Sequence, residues 1–313
     1  LVMWTTVPSI SNTNLPLDTI EALAWGSNLD WGFSKHPPLS AFAVEIIYLI
    51  FANKDWAYYL LSQIFVITAF YFVWKFYNEF SENRICALLS ILVLSGIYFY
   101  NFTTPEFNVN ISQLPFWALC VYYFWKGLNS NNKINWILFG IFSALGFLSK
   151  YLFIYLLLAL LTYFVLNIKM YKKYVLNYFL SILVSLIILT PHFIWLFENN
   201  FITIFYGLNR SGLSDSNLVY HFINPAVFLV KQSLILIPFL IIIFIILKKI
   251  RLKINKKNKL LLFLISINVI PFVLILFTSI ITGAKIRTMW MTPFYLFLGT
   301  LFFELFKEKL SFK

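Results

Sequence analysis

The sequence predicts an all-α protein, a polytopic bundle of transmembrane helices whose polar loops collect at its outward face. Hydrophobic residues make up 61% of the 313 positions and charged residues only 12%, a balance that soluble domains do not show. The apolar residues lie in long runs separated by short polar breaks. No internal repeat or low-complexity tract interrupts these runs, so we expect a single transmembrane domain over residues 1–313.

The chain begins inside an apolar segment. Residues 1–8 resemble the last turns of a membrane helix and carry neither an initiator Met nor a basic flank. We therefore expect the first membrane helix to be incomplete.

The most polar stretch follows at residues 18–39 and is also rich in aromatic and turn-forming residues. Asp18 and Glu21 are three residues apart, so a helix that begins near residue 16 would present both carboxylates on one face. A Trp-Gly pair at 31–32 is expected to break this helix. The Lys-His-Pro-Pro segment at 35–38 then predicts a rigid, extended corner.

The rest of the chain contains apolar runs that are predicted to cross the membrane. The run at 39–52 is not one of them, because it is short and contains Glu45, whereas a crossing needs about twenty residues; we expect it to be re-entrant or interfacial. The longest polar connection is predicted at 191–224. Nine crossings are expected, at 56–77, 85–102, 111–125, 134–149, 152–166, 175–190, 225–247, 260–281 and 289–306.

The net charge of +12 follows from the orientation of the loops. Alternation of the crossings places 17 of the 24 Lys and Arg residues on one side, including the cluster at 248–259 and the C-terminal lysines. Eight of the twelve acidic residues, Asp215 among them, fall on the other side. The basic side is cytoplasmic by the positive-inside rule, so the 18–39 stretch faces outward and no nucleic-acid partner is predicted.

Five motifs occur in order along nearly the whole chain. They are Asp18-x-x-Glu-Ala with Trp-Gly and Lys35-His-Pro-Pro-Leu39, Thr104-Pro-Glu-Phe-Asn108, Gly146-Phe-Leu-Ser-Lys-Tyr151, Pro191-His-Phe-Ile-Trp195 and Gly283-Ala-Lys-Ile-Arg-Thr-Met-Trp290. Together they resemble the bacterial branch of the family 39 glycosyltransferases, which are related to protein O-mannosyltransferases and lipid A aminoarabinose transferases.

The resemblance implies a GT-C type fold in the cytoplasmic (inner) membrane, with a site that faces the periplasm or exterior. It further implies an inverting transfer of a hexose or pentose from polyprenyl phosphate to a hydroxyl group. The expected partners are this lipid-linked sugar, membrane lipids and an acceptor that is a glycan, a lipid or a protein. The sequence leaves the sugar and the acceptor open.

Three carboxylates are the candidate catalytic residues. Asp18 occupies the family's catalytic acidic position and is expected to act as general base, with its pKa raised by partial desolvation at the membrane surface. The alternative is that Asp18 only caps its helix. Glu21 is expected to orient its neighbours. Glu106 matches the second acidic site of the family and would otherwise be a solvated turn residue.

Basic and polar side chains on the outward side are expected to bind the donor phosphate. Lys150 lies between two apolar runs, where an unpaired ammonium is costly, so an anionic partner is predicted. A planar Arg fork suits phosphate oxygens. The alternative for Lys35 and Lys285 is contact with lipid headgroups. The donor-binding candidates are Lys35, His36, Lys150, Tyr151, Arg210, Lys285 and Arg287.

Three aromatic side chains, Trp25, Trp31 and Tyr206, are candidates for stacking on a sugar. No metal site is predicted, because the three histidines lie far apart with no Cys or second His at ligand spacing. No cofactor is assigned; two carboxylates could share a divalent cation, but no further feature of the sequence supports one. The absence of a glycine-rich phosphate loop disfavours a nucleotide-sugar donor.

Two other functions fit parts of the sequence. A transporter or lipid flippase would have a similar composition and number of crossings, but such proteins usually place ionisable residues at the bilayer midplane and often contain repeated halves. An inactive structural relative is the third alternative.

Overall fold

The computed structural model describes residues 1–81, 84–212, 217–247 and 258–306, and all regular secondary structure in these ranges is helical. The all-α prediction is confirmed. Most of the predicted basic cluster, residues 248–257, lies outside the described residues, as do Asp215 and the lysines at 307, 309 and 313.

The chain folds into two compact units. The first unit comprises residues 1–69, 103–154 and 167–210. Its α-helices are α1 (Val2–Ser11), α2 (Leu17–Gly26), α3 (Leu39–Phe51), the first part of α4 (Asp55–Phe80), α6 (Val109–Ser112), α7 (Leu114–Leu128), α8 (Lys133–Ser149), α10 (Ile168–Tyr171), α11 (Val175–Glu198) and α12 (Ile202–Arg210).

The second unit comprises residues 70–102, 155–166 and 211–313. Its α-helices are the remainder of α4, α5 (Arg84–Leu92), α9 (Ile154–Leu166, from its second residue), α13 (Tyr220–Leu247), α14 (Lys259–Thr282) and α15 (Leu298–Phe306). The single transmembrane domain over residues 1–313 stays a prediction.

Four helical segments of the described chain are long and apolar enough to cross a membrane, namely Asp55–Phe80, Ile168–Glu198, Tyr220–Ile246 and Lys259–Thr282. A fifth could be formed by Thr288–Tyr295 and Leu298–Phe306, which are bent by 46°. The sequence predicted nine crossings, and length explains the difference. A helix of 17 residues such as α8 extends about 25 Å, less than the roughly 30 Å of a hydrocarbon core. The run at 39–52 forms a 13-residue helix, also shorter than a crossing.

The predicted polar connection at 191–224 is partly wrong, because helix α11 extends into it. The helix passes through Pro191 and ends at Glu198, so the first eight residues of that connection are helical. Proline removes one backbone hydrogen bond within a helix, a loss that packed membrane helices tolerate. The packing here is supplied by His192, Trp195 and Leu196, which are buried.

Candidate active site

Helix α2 places the first two acidic residues. It begins after Pro16, which offers no side-chain cap, and Asp18 lies in its first turn together with the free N–H groups that favour an acidic residue. The N-cap alternative for Asp18 is therefore wrong. The helix ends at Gly26, earlier than the expected break at 31–32, and Leu29 follows with a φ of 46°.

The loop that contains Glu106 is fixed against α2 and α4. The Thr104 carbonyl accepts hydrogen bonds from Ser62 Oγ at 2.5 Å and from Gln63 Nε2 at 3.0 Å. Thr19 Oγ1 donates to the Phe107 carbonyl at 3.1 Å. These hydrogen bonds to the backbone on either side of Glu106 hold it at the beginning of α2.

Asp18 and Glu106 are consequently neighbours. The Asp18 backbone and the Asn108 side chain lie close enough to the Glu106 carboxylate to oppose the rise in its pKa. Glu106 is half-buried, so it is not a solvated turn residue. The structure thus brings together two carboxylates that are 88 positions apart in the chain.

Burial raises the pKa of both acids. The pKa of Asp18 is raised chiefly by desolvation and then by the charge of Glu21. The pKa of Glu106 is raised by desolvation and then by the charge of Asp18. The positive charges of three side chains oppose this rise in the pKa of Asp18. In decreasing order of effect they are Lys150, Arg210 and Lys35. The raised pKa at Asp18 agrees with the expectation from the sequence.

Lys150 is the buried cation of the site. Only 7% of its surface is exposed, and its Nζ donates a hydrogen bond to Asn110 Oδ1. Asn108 Oδ1 caps the short helix α6 that carries Asn110, at 2.9 and 3.2 Å from the N–H groups of Asn110 and Ile111. Burial lowers the pKa of Lys150 to about 7, while the Asp18 charge acts in the opposite direction. The sequence predicted an anionic partner and gave no signal for Asn110.

Lys35 and Arg210 form a second basic group around Tyr206. Lys35 is ion-paired with Glu21, and its Nζ lies 6.0 Å from the centre of the Tyr206 ring. The Arg210 guanidinium carbon lies 5.8 Å from the same ring, and Nη1 donates to the Tyr206 hydroxyl at 3.0 Å. The pair is partly exposed, and a solvent-accessible ion pair of this kind stabilises a fold by about 1 kcal/mol or less, so its main effect is to fix where the charges lie.

His36 is uncharged in this environment. Burial lowers its pKa to about 3, and the charges of the three nearby lysine and arginine side chains act in the same direction. Trp25 packs edge-on against His36 at 5.9 Å and stacks on Phe33 at 5.4 Å. His36 can therefore offer hydrogen bonds but no positive charge. Trp31 packs edge-on against Phe42 and keeps 41% of its surface exposed.

The segment 31–36 that carries Lys35 and His36 is held by a buried polar network. His192, fully buried in α11, bonds through Nδ1 to the Trp31 carbonyl at 2.6 Å and through Nε2 to the Tyr151 hydroxyl at 2.9 Å. Thr203 Oγ1 donates to the Phe33 carbonyl at 2.5 Å. The carbonyl can only accept, so Nδ1 carries the proton. Tyr151, a predicted donor-binding residue, thus directs its hydroxyl to His192.

Gly32 lies against the Trp195 indole, and a side chain there is expected to destabilise the protein. An added Cβ would come within 2.3 Å of the Trp195 ring, so Gly32→Ala should cost about 1–3 kcal/mol of unfolding free energy. Thermal unfolding of the purified protein measures the change. Gly207→Ala is the matched control, because a Cβ there meets no described atom within 4 Å. Equal Tm values for the two variants would contradict the packing of this segment.

Two predicted donor-binding residues, Lys285 and Arg287, belong to the second unit. The backbone N–H of Lys285 donates to the Ser211 carbonyl at 2.8 Å, within the same unit. Their roles stay predictions.

A small cleft opens in the first unit beside the acidic residues. Its lining residues are polar, acidic or aromatic for the most part: Asp18, Glu21, Ala22, Trp25, His36, Ser40, Asn108 and Val109. Within the described ranges, no group of three or more His, Cys, Asp or Glu residues could hold a metal ion. The basic residues of the site are not among the lining residues.

One comparison with known proteins matches a family model, and another matches a fold. The dolichyl-phosphate-mannose-protein mannosyltransferase family model matches residues 35–195, which include Glu106 and Lys150 but begin after Asp18. The fold is similar to ArnT from Cupriavidus metallidurans in the apo state, with a TM-score of 0.70, 14% identity and coverage of 99% of this chain and 58% of that one. With undecaprenyl phosphate bound, ArnT gives a TM-score of 0.71 at 14% identity, with 99% and 59% covered.

The chain therefore spans less than three fifths of the length of the structures that it resembles, and at 14% identity the likeness concerns the fold. No curated protein sequence gives a significant match.

Proposed function

Because the chain belongs to the dolichyl-phosphate-mannose-protein mannosyltransferase family, we propose that it is a membrane glycosyltransferase that takes a monosaccharide from a polyprenyl-phosphate donor. The family match covers just over half of the chain and agrees with the motifs that resemble family 39 glycosyltransferases. The bound undecaprenyl phosphate in one ArnT structure supports a polyprenyl carrier.

One observation carries the proposal: three carboxylates and three cations of the first unit lie close enough together for their charges to act on one another. The pKa of Asp18 is shifted by four neighbouring charges, those of Glu21, Lys150, Arg210 and Lys35. The pKa of Glu106 is shifted by the charge of Asp18. Transfer from a lipid phosphate needs a base for the acceptor proton and positive charge for the departing phosphate. Both are present, and most of these groups are partly or wholly withdrawn from water.

In the proposed reaction, the acceptor oxygen attacks the anomeric carbon as the bond from that carbon to the phosphate oxygen breaks. The Asp18 carboxylate takes the proton of the acceptor hydroxyl. The phosphate keeps the electron pair of the broken bond, and Lys150, Lys35 and Arg210 stabilise its negative charge. A single displacement of this kind inverts the anomeric centre.

Glu106 and Glu21 have supporting roles in this proposal. Glu106 lies beside the Asp18 backbone at the first turn of α2, from which the base projects, and its loop is held there by the hydrogen bond from Thr19 to the Phe107 carbonyl. Glu21 holds the Lys35 ammonium at the edge of the site. His36, being neutral, is assigned a hydrogen-bonding role rather than a charged one.

The site is proposed to face the periplasm or exterior of the cytoplasmic (inner) membrane. The support is the resemblance of the five sequence motifs to the family 39 glycosyltransferases, which implies this orientation. The acceptor is a glycolipid, a polysaccharide or a protein hydroxyl, and the sugar is a hexose or a pentose.

Transfer of label tests the proposal directly. Membranes that contain the full-length protein would be incubated with radiolabelled polyprenyl-phosphate hexoses and pentoses and with each acceptor class. We expect label from at least one donor in one acceptor class, absent from membranes without the protein. Movement of the lipid-linked sugar across the bilayer without transfer would support the transporter or flippase alternative instead.

The rate of transfer is expected to depend on pH in a bell shape. Asp18 acts as base only when ionised, so its raised pKa causes the rate to fall as pH decreases. Lys150 is charged only below its pKa of about 7, so donor binding weakens as pH rises through that value. A bound phosphate would shift this alkaline limb to higher pH, because its negative charge favours the charged form of the Lys150 ammonium.

Lys150→Arg separates the two limbs, because arginine stays charged throughout this range. The variant is expected to lose the alkaline limb of kcat/KM and to keep the acid limb. A profile identical to the wild type, alkaline limb included, would show that Lys150 is not the group that titrates.

A further inference from the structure

The second unit contains a largely apolar groove that the proposed reaction does not use. Its volume is about 380 Å³, within the range of roughly 300–1,000 Å³ that is usual for ligand pockets. Helix α13 forms one wall through Leu234 and Ile235. Segment 95–102 forms the other wall, chiefly through the rings of Tyr98 and Phe102. Both walls belong to the second unit, so the groove is made entirely of residues outside the candidate active site.

Close packing joins the two walls of the groove. A Cβ added at Gly96 would lie 2.9 Å from the Phe239 Cα atom of α13, so the two segments are in contact there. Tyr98 and Phe102 stack with ring centres 5.9 Å apart, and both are more than half exposed. Leu234 is 60% exposed. The groove is therefore preformed, and its apolar walls are open to the hydrocarbon of a membrane.

Lys231 lies one helical turn from this groove on α13. It precedes Leu234 and Pro238, both lining residues, by three and seven positions, which places all three on one helix face. Its side chain is exposed and has no hydrogen bond or ion pair with the residues that the structure describes.

The depth of Lys231 in its helix indicates a lipid phosphate as its partner. It interrupts the candidate membrane span Tyr220–Ile246 and lies about 24 Å from the end of α13 at Leu247. That distance is close to the roughly 30 Å of a hydrocarbon core, so the long side chain can extend to the phosphates of the far boundary. An ammonium at this position is costly without such an anion.

Charge complementarity selects the class of lipid. The groove and the helix α14 packed against α13 are formed by residues 93–102, 220–247 and 259–282, which contain no Asp or Glu. A zwitterionic headgroup carries a positive group that would have no acidic partner in these segments. An anionic headgroup carries only charge that Lys231 attracts.

From these observations we propose that the groove binds one anionic phospholipid, with an acyl chain between α13 and segment 95–102 and the headgroup phosphate on the Lys231 ammonium. Lys231 is not among the charges that act on Asp18 or Lys150, so this phosphate site is separate from the one proposed for the donor. The inference goes beyond the proposed transfer reaction and does not depend on it.

Native mass spectrometry of the purified protein tests the proposal. The protein would be titrated with phosphatidylglycerol and with phosphatidylcholine of the same chain length. The wild type is expected to bind one phosphatidylglycerol about five- to tenfold more tightly, the effect of one lysine on an anionic lipid. Lys231→Gln should remove this preference, and Lys231→Arg should keep it. Leu234→Trp should weaken the binding of both lipids, because the indole fills the groove.

Two variants are matched controls. Lys169→Gln removes an exposed lysine from α10 in the first unit, and Ile245→Trp adds an indole to α13 at an exposed position outside the groove lining. Both should keep the lipid preference of the wild type. The four substituted positions of the second-unit variants and controls are exposed, so each lipid-free protein should have a Tm near that of the wild type.

Three results would refute the proposal: equal binding of the two lipids by the wild type, a preference that survives in Lys231→Gln, or unchanged binding by Leu234→Trp. Undecaprenyl phosphate is the competitor. If it displaces phosphatidylglycerol at equal concentration and its own binding depends on Lys231, the groove is a polyprenyl site and the phospholipid proposal is wrong. Because sugar transfer is not the readout, each of these results leaves the proposed glycosyltransferase function standing.

Discussion

Asp18→Asn is expected to lower the rate of sugar transfer by about 10²–10⁴-fold, the usual contribution of a general base. The amide keeps the size of the side chain but cannot accept the acceptor's proton. Because the cap of α2 is Pro16 and the Thr19 hydroxyl is the group that donates to the Phe107 carbonyl, the substitution leaves these local contacts in place. The measurement is transfer of labelled sugar at matched protein amounts.

Asp30→Asn is the control for this variant. Asp30 is an exposed acid in the same polar stretch at 18–39, and its side chain accepts a local hydrogen bond from the Trp31 N–H at 2.8 Å. Its transfer rate should stay near that of the wild type. Full activity of Asp18→Asn with an unchanged Tm would remove Asp18 as the base and leave Glu106 as the next candidate.

Lys150→Gln is expected to weaken donor binding by about 10- to 100-fold, because a hydrogen bond to a charged group contributes roughly 1.5–3 kcal/mol. The amide can still contact Asn110 but cannot neutralise a phosphate. Undecaprenyl phosphate is the probe, and the rise in Tm that it produces is the measurement. Without the probe, the variant should be at least as stable as the wild type, because a buried ammonium is unfavourable.

Lys54→Gln serves as the matched variant, since Lys54 is exposed in the turn before α4 and is not among the charges that act on Asp18. It should bind the probe as the wild type does. If Lys150→Gln binds undecaprenyl phosphate with unchanged affinity, Lys150 is a structural residue and the phosphate is held elsewhere.

The sequence was most informative where function depends on neighbouring positions. The spacing of Asp18 and Glu21 predicted a shared helix face, and both lie in the same cleft. The motif that contains Glu106 predicted an acidic partner, which the fold brings to the Asp18 backbone. Such features follow from helix geometry and from the order of the motifs, and both can be read directly from the sequence.

The parts that the sequence could not predict depend on contacts between distant segments. Nothing near Asn110 indicates that it will meet Lys150, and His192 gave no sign that it would bond to the Trp31 carbonyl. The number of full-length crossings was overestimated because composition identifies apolar runs but does not determine where a helix bends or stops.

The buried polar network that holds segment 31–36 also bears on the activation barrier of the proposed reaction. Residues 31, 32 and 33 are each held by α11 or α12, so Lys35 and His36 are already oriented before a donor arrives. Groups in a fixed arrangement need little reorganisation when charge develops on a leaving group, and this preorganisation lowers the activation barrier. Gly32→Ala would loosen the contacts that hold this segment. It should therefore slow the chemical step more than it weakens donor binding.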